Sequence, residues 1–252
     1  MLIKSTGWPG WRGIRRAGLL LAALYFSPVE ADTLQDQVRL ITAHLLPYSI
    51  QGGAQPGFMI ELIEEIERRL GSDRQIKFLP WPRALRLVKR EPNHIIFPLT
   101  RTPEREEHYI WAIKVAPIEM VFVTLDGKSL SMAQARELES LSVQQDTPFE
   151  QFLKRNGFDN LISLPDPAPL HIRLLQVKRT QAWFTAKDLA RYAWFEQRVQ
   201  EPLVLGDSVY RSDVYIATSR QFPSEVASAY RRAFDVIVRD GGFAAIMQRY
   251  QR

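Results

Sequence analysis

The segment Leu99-Thr100-Arg101-Thr102-Pro103-Glu104-Arg105 follows directly on the apolar run Ile95-Ile96-Phe97-Pro98, and this junction gathers the groups best able to do chemistry. The pattern predicts a buried strand that hands over to a short helix start, so that hydroxyls, free backbone N–H groups and an arginine converge on one spot. All of these donate hydrogen bonds or carry positive charge, so the expected occupant is an anion. Arg105 suits the anchoring role because its planar fork can donate two hydrogen bonds to one carboxylate in fixed geometry. The competing reading is an ion pair with Glu104, Glu106 or another surface acid.

Three more residues are candidates for the same site. Thr147, in Gln144-Gln145-Asp146-Thr147-Pro148, stands at an expected helix start, where the backbone carries roughly half a positive charge. Asp146 or Thr147 before Pro148 would serve equally as a helix cap with no ligand. Trp81 and Tyr48 each fall just after an expected strand, where α/β folds place ligands, whereas Trp183 falls inside a strand and is expected in the core.

Catalytic patterns are sparse. The four histidines, His44, His94, His108 and His171, have none of the short spacings of metal ligands, and there is no Gly-x-Ser-x-Gly elbow, phosphate loop or cysteine. No metal or cofactor is expected. The first 31 residues read as an export signal: Lys4, Arg12, Arg15 and Arg16 precede an apolar run from Ala17 to Phe26, and Val29-Glu30-Ala31 makes a small-x-small cleavage site. That run is shorter than the roughly 20 residues needed to span a bilayer. Four basic residues and Glu30 belong to this segment, so the net charge of +5 falls to +2 without it. The remainder shows no clustered basic face of the kind that binds nucleic acid.

Strand-like and helix-like stretches alternate through the rest, the pattern of an α/β protein with mostly parallel sheets. Strands are expected at Val38 to Ala43, Gln75 to Leu79 and Ile95 to Leu99. Between them lie helices at Phe58 to Leu70 and Pro82 to Arg90; the first sets Met59, Leu62, Ile63, Ile66 and Leu70 on one face and its glutamates, Glu67 included, mainly outward. After a strand at Ile118 to Leu125 a second set follows: strands at Leu141 to Gln144, Leu161 to Leu164 and Gln181 to Thr185, with helices at Pro148 to Asn156, Leu170 to Lys178 and Tyr192 to Val199. Asp166-Pro167-Ala168-Pro169 reads as a stiff loop within it. Val214 to Thr218 reads as a returning strand, followed by helices at Ser224 to Arg239 and Phe243 to Tyr250.

With its motif, export signal and interrupted βα sets, the chain resembles the bacterial extracellular solute-binding proteins of family 3, the amino-acid type of periplasmic binding protein. The resemblance implies a two-lobe type II periplasmic binding protein fold. Lobe 1 would hold residues 32–123 and 210–252 and lobe 2 residues 124–209, with two crossovers near Leu125 and Ser208. It also implies a monomer in the periplasm, with the signal removed near Ala31, and a small carboxylate-bearing ligand delivered to an inner-membrane ABC permease or sensor. In the family the arginine that closes hydroxyl-x-Thr-x-x-Arg holds the ligand carboxylate. Here this is Arg105, with Thr100 and Thr102 before it, and Thr147 matches the second-lobe position that contacts the same group. The family's amino-acid binders place an aspartate for the ligand ammonium near the end of Gln181-Ala182-Trp183-Phe184-Thr185, where this chain has Ala186, so Asp188 or Glu119 would have to substitute. Thr42-Ala43-His44-Leu45 departs from the pattern as well. Two alternatives stand beside a binding protein: a lyase acting on a cyclic acid, with Glu119 or His44 as general acid, and a signalling module without a ligand.

Overall fold

The computed structural model of the protein describes residues 37–52, 55–126, 128–165 and 168–250. The expected export segment and its cleavage point near Ala31 lie outside the described residues, as do Asp166 and Pro167 of the proline loop. No helix among the described residues is long and apolar enough to cross a membrane.

The first βα set runs β1 (Arg39–Thr42), α1 (Phe58–Arg69), β2 (Ile76–Phe78), α2 (Trp81–Arg90) and β3 (His94–Thr100). Helix α1 buries Met59, Leu62, Ile63 and Ile66, the stripe that helical periodicity requires. Glu67 departs from the expectation of an outward glutamate: it is buried, and its carboxylate accepts hydrogen bonds from Arg74 Nη1 (2.7 Å), Ser72 Oγ (2.7 Å) and the Tyr230 hydroxyl. A charge can stay buried there because it is paired and fully hydrogen-bonded. In β3, Pro98 lacks an N–H to donate, and the pairing with its neighbour slips in register between Ile96 and Leu99.

A 3-10 turn (Pro103–Arg105) leads into β4 (Ile110–Thr124), a strand of 15 residues that starts eight residues before the expected one. The second set comprises α3 (Met132–Arg136), β5 (Leu141–Gln144), α4 (Pro148–Arg155), β6 (Leu161–Leu164), α5 (Pro169–Gln176), β7 (Ala182–Ala186), α6 (Lys187–Glu196) and β8 (Val204–Leu205). Helix α6 starts directly from β7 rather than at Tyr192, because Leu189, Ala190, Ala193 and Trp194 give it a buried face at helical spacing. Strand β9 (Tyr210–Thr218) and helices α7 (Ser224–Arg239) and α8 (Gly242–Gln248) complete the fold.

All nine strands join one mixed sheet, in the order β2-β1-β3-β9-β4-β7-β5-β6, with β8 also on β4. Parallel pairing holds wherever β4 and β9 are not involved, and every ladder made by those two strands is antiparallel. Strand β4 pairs with β9 from Ile110 to Met120 and with β7 from Met120 to Val123, so one strand serves both halves of the sheet. Alternation along the strands splits the core: Ile41, Ile96, Leu99 and Ala217 pack towards α2, while Leu40, Ile95 and Phe97 pack with α1 on the other face. Burying each of these leucine, isoleucine and phenylalanine side chains contributes about 1.5–3 kcal/mol.

Candidate functional site

The cleft that gathers the candidate residues has a volume of about 380 Å³, within the range of small-molecule sites. It opens where strands from both halves end: Pro98 and Thr100 come from β3, Val143 and Gln144 from β5, and Phe184 to Ala186 from β7. Five of the six candidates line it, namely Arg105, Thr100, Thr147, Trp81 and Tyr48.

Arg105 closes the 3-10 turn, with its N–H bonded to the Thr102 carbonyl at 3.0 Å. Its Nη1 donates to the Thr100 carbonyl at 3.0 Å, which orients the guanidinium and leaves most of its five donors free. Both acids considered as rival partners are engaged elsewhere, Glu106 with Arg101 and Glu104 with Arg155 at 2.8 Å. Arg105 forms no ion pair among the described residues. Burial pulls the guanidinium below its ordinary value, with a partial offset from Tyr109 and Glu104, yet an arginine remains charged. A half-buried cation without a counter-charge is costly unless an anion arrives.

Thr100, on the last residue of β3, has a hydroxyl that makes no hydrogen bond among the described residues. Thr102 is not among the residues lining the cleft. It is buried, and together with a backbone N–H its hydroxyl holds the Glu104 carboxyl below the ordinary range.

Thr147 is the N-cap of α4: its Oγ1 accepts from the Glu150 N–H at 3.2 Å and donates to the Gln144 carbonyl at 2.8 Å. Glu150 is buried and reaches back to the Asp146 N–H at 2.8 Å. Burial alone would raise its carboxyl, but hydrogen bonds from Lys154, Ser163 and Asp146 hold it low. The N–H groups of Thr147 and Phe149 donate to no acceptor among the described residues, so the helix start offers backbone donors rather than the threonine hydroxyl.

Trp81 begins α2 half-buried. Tyr48 is buried against Phe58, ring centroids 5.0 Å apart, and its hydroxyl has no partner. Trp183 is fully buried inside β7 and stacks on His171.

Ala186 lines the cleft at the end of β7, in the position compared above with an ammonium-binding aspartate. Neither proposed substitute lines it. Glu119 lies between Lys187 (3.4 Å) and Arg211 (3.2 Å), and Asp188 is half-exposed on α6, its carboxyl raised by burial. His44 is exposed, its Nδ1 accepting from the Gln51 N–H at 3.1 Å. The other charged residue lining the cleft beside Arg105 is Asp146, exposed at the rim. The apolar walls built by Ile118, Met120, Phe184 and Leu189 were not singled out from the sequence. Their signal was available for Phe184, which stands near the carboxyl end of a parallel strand. Among the described residues no cluster of three acidic, histidine or cysteine side chains could hold a metal ion.

Comparisons with known proteins fit this geometry. The chain is similar in fold to an ancestral amino-acid-binding protein described as a precursor of cyclohexadienyl dehydratase, at a TM-score of 0.74 and 16% identity over 88% of this chain and 99% of that one. It is similar to the substrate-binding protein of an ABC uptake transporter from Streptococcus pneumoniae with bound histidine, at a TM-score of 0.73 and 15% identity over 88% of this chain and 95% of that one. A histidine kinase sensor domain with similarity to periplasmic binding proteins matches at 0.74 and 16% identity, over 86% of this chain and 97% of that one. These likenesses establish the type II periplasmic binding protein fold, and the neighbours are for the most part binding proteins. No curated protein matches the chain in sequence. The model of one family matches residues 39–252, and the chain therefore belongs to the bacterial extracellular solute-binding proteins, family 3.

Proposed function

We propose that the protein is exported to the periplasm, with its signal removed near Ala31. There it captures a small carboxylate-bearing ligand in the cleft and passes it to an inner-membrane ABC permease or sensor. Arg105 carries this reading: it is half-buried at the cleft wall, aimed by one hydrogen bond to Thr100, and without a carboxylate of its own among the described residues. The Thr100 hydroxyl and the free N–H groups at the start of α4 supply further donors for the same anion. Residues 32–123 and 210–252 form one lobe and residues 124–209 the other. The protein works as a monomer and needs no cofactor.

A thermal-shift screen of amino acids, dicarboxylates and aromatic acids tests the reading. A true ligand at a hundredfold excess over its dissociation constant should raise stability by about 2.7 kcal/mol. If no carboxylate shifts the melting temperature while the protein is folded and monodisperse, the binding role fails and a module without a ligand takes its place.

A further inference from the structure

Glu104 and Arg155 join the two walls of the cleft that offer donors to an anion. Glu104 lies in the 3-10 turn that Arg105 closes, and Arg155 is the last residue of α4, whose start presents its N–H groups to the same cleft. Arg155 Nη2 donates to Glu104 Oε1 at 2.8 Å and, one turn back along its own helix, to Gln151 Oε1 at 3.1 Å. The strands that lead into these walls, β3 and β5, do not pair with each other: β3 lies between β1 and β9, and β5 between β6 and β7. Helix α4 also meets β9, through Phe149 and Phe152 against Tyr210, but that contact is at the junction where Met120 pairs with Tyr210. Another ion pair between the halves, Lys187 with Glu119, sits beside the pairing of Met120 with Ala186, where backbone already joins them. The Glu104–Arg155 pair spans a gap that no strand ladder closes. On charge alone Glu104 works against the site, because an acid one residue from Arg105 repels an incoming carboxylate.

We propose that the Glu104–Arg155 ion pair is a clasp that holds the 3-10 turn and α4 together before a ligand arrives, and that both residues thereby position the walls of the cleft for anion capture. The inference deepens the carboxylate-binding reading above and rests on it. Whatever favours the close approach of the two walls favours a ligand that touches both, and the ligand in return favours the pair. One substitution separates a clasp from plain charge. Glu104→Gln removes a negative charge beside the anchor, which by charge alone tightens the binding of an anion, whereas loss of a clasp weakens it.

Two measurements on the folded mature protein decide the matter. The chain has no cysteine, so spin labels at Arg86→Cys on α2 and Arg173→Cys on α5, both exposed, report the distance between the halves. In the ligand-free protein Glu104→Gln and Arg155→Gln should each shift the distribution towards longer distances. The double variant should go no further than either single one, and Arg155→Lys should keep the wild-type distribution. Calorimetry then uses glutamate, histidine, succinate and 3-phenylpropanoate as probes. Each glutamine variant should weaken the tightest of these by about two- to fivefold, the range of an exposed ion pair, with no further loss in the double variant. Arg155→Lys should bind as wild type does. Distances unmoved by both glutamine variants, or tighter binding by Glu104→Gln, overturn the proposal and leave carboxylate capture standing. If none of the four acids binds, the positioning role falls while the distances still decide the clasp; if the broad carboxylate screen is also silent, carboxylate capture falls with it.

Discussion

Arg101 and Arg105 stand four residues apart and meet opposite fates. Arg101 pairs with Glu106 and lies over the rings of Trp111 and Tyr215, at 5.4 and 5.6 Å from their centroids, which accounts for its charge within the protein. Arg105 has no such partner among the described residues. The sequence motif singles out Arg105, but its freedom from Glu106 depends on where Arg101 goes, and that depends on Tyr215, more than a hundred residues along the chain. Thr147 was legible in the same partial way. Its place before Pro148 marks a helix start, whereas the direction of its hydroxyl follows from the turn at Asp146, which adopts a positive φ of 58°. We expect Thr147→Val to lower the free energy of unfolding by about 0.5–2 kcal/mol, as loss of a helix cap does, with little change in ligand affinity. Denaturant unfolding and calorimetry on the same variant check this. Unchanged stability with weakened binding would show that the hydroxyl serves the ligand.

At the scale of elements, the loop that carries Tyr48 is set by Gly57. This residue has a φ of 98°, and a Cβ there would lie 2.4 Å from the Tyr48 carbonyl oxygen, which accepts the Met59 N–H at 2.9 Å. Gly57→Ala should therefore cost about 1–3 kcal/mol of stability and also weaken binding by moving Tyr48; wild-type behaviour in both assays would contradict the placement. Helix α1 is tied to α7 by a surface cluster in which Glu65 accepts from Arg68 and Arg69, and Arg69 also reaches Asp240. The hydrogen bond from Arg68, then that from Arg69, holds the Glu65 carboxyl at about 2, below its ordinary 4.5. The stabilisation it gives is complete above about pH 4.5 and is lost as the pH falls through 2. Because the pair is at the surface, Glu65→Gln should cost no more than about 1 kcal/mol at pH 7, and urea unfolding at low pH should find the difference gone. The helices with a sharp apolar stripe, α1 above all, could be read from periodicity. Strand β4 could not be bounded that way, because its first residues owe their extended form to pairing with β9, a partner about a hundred residues away. Glu67 escaped the sequence for the same reason, since the Tyr230 hydroxyl comes to it from a helix more than a hundred residues away, while Arg74 reaches back from the loop after α1.

For the whole molecule, β4 and β9 are the continuous strands that pass between the halves of the sheet, and Met120 pairs with both Tyr210 and Ala186 where the two halves meet. The alternation of βα units made the α/β class readable, but not that these two strands would weld the halves into one mixed sheet. A ligand can shift an open–closed balance only through its differential affinity for the two forms, so it must touch both sides of the cleft. Solution scattering at saturating ligand should show a smaller radius of gyration, with bending near Met120 and Tyr210; an unchanged radius would argue for binding without closure. The claim on which everything else depends is that Arg105 anchors the ligand carboxylate, and calorimetry of wild type, Arg105→Lys and Arg105→Ala with the best acid from the screen tests it most directly. Lysine, which keeps the charge but not the fork, should weaken binding, and alanine should cost about 2–5 kcal/mol of affinity while the melting temperature stays near that of wild type. Equal affinity in wild type and Arg105→Ala, or a variant that no longer folds, would show that Arg105 is a structural residue and that the anion site lies elsewhere.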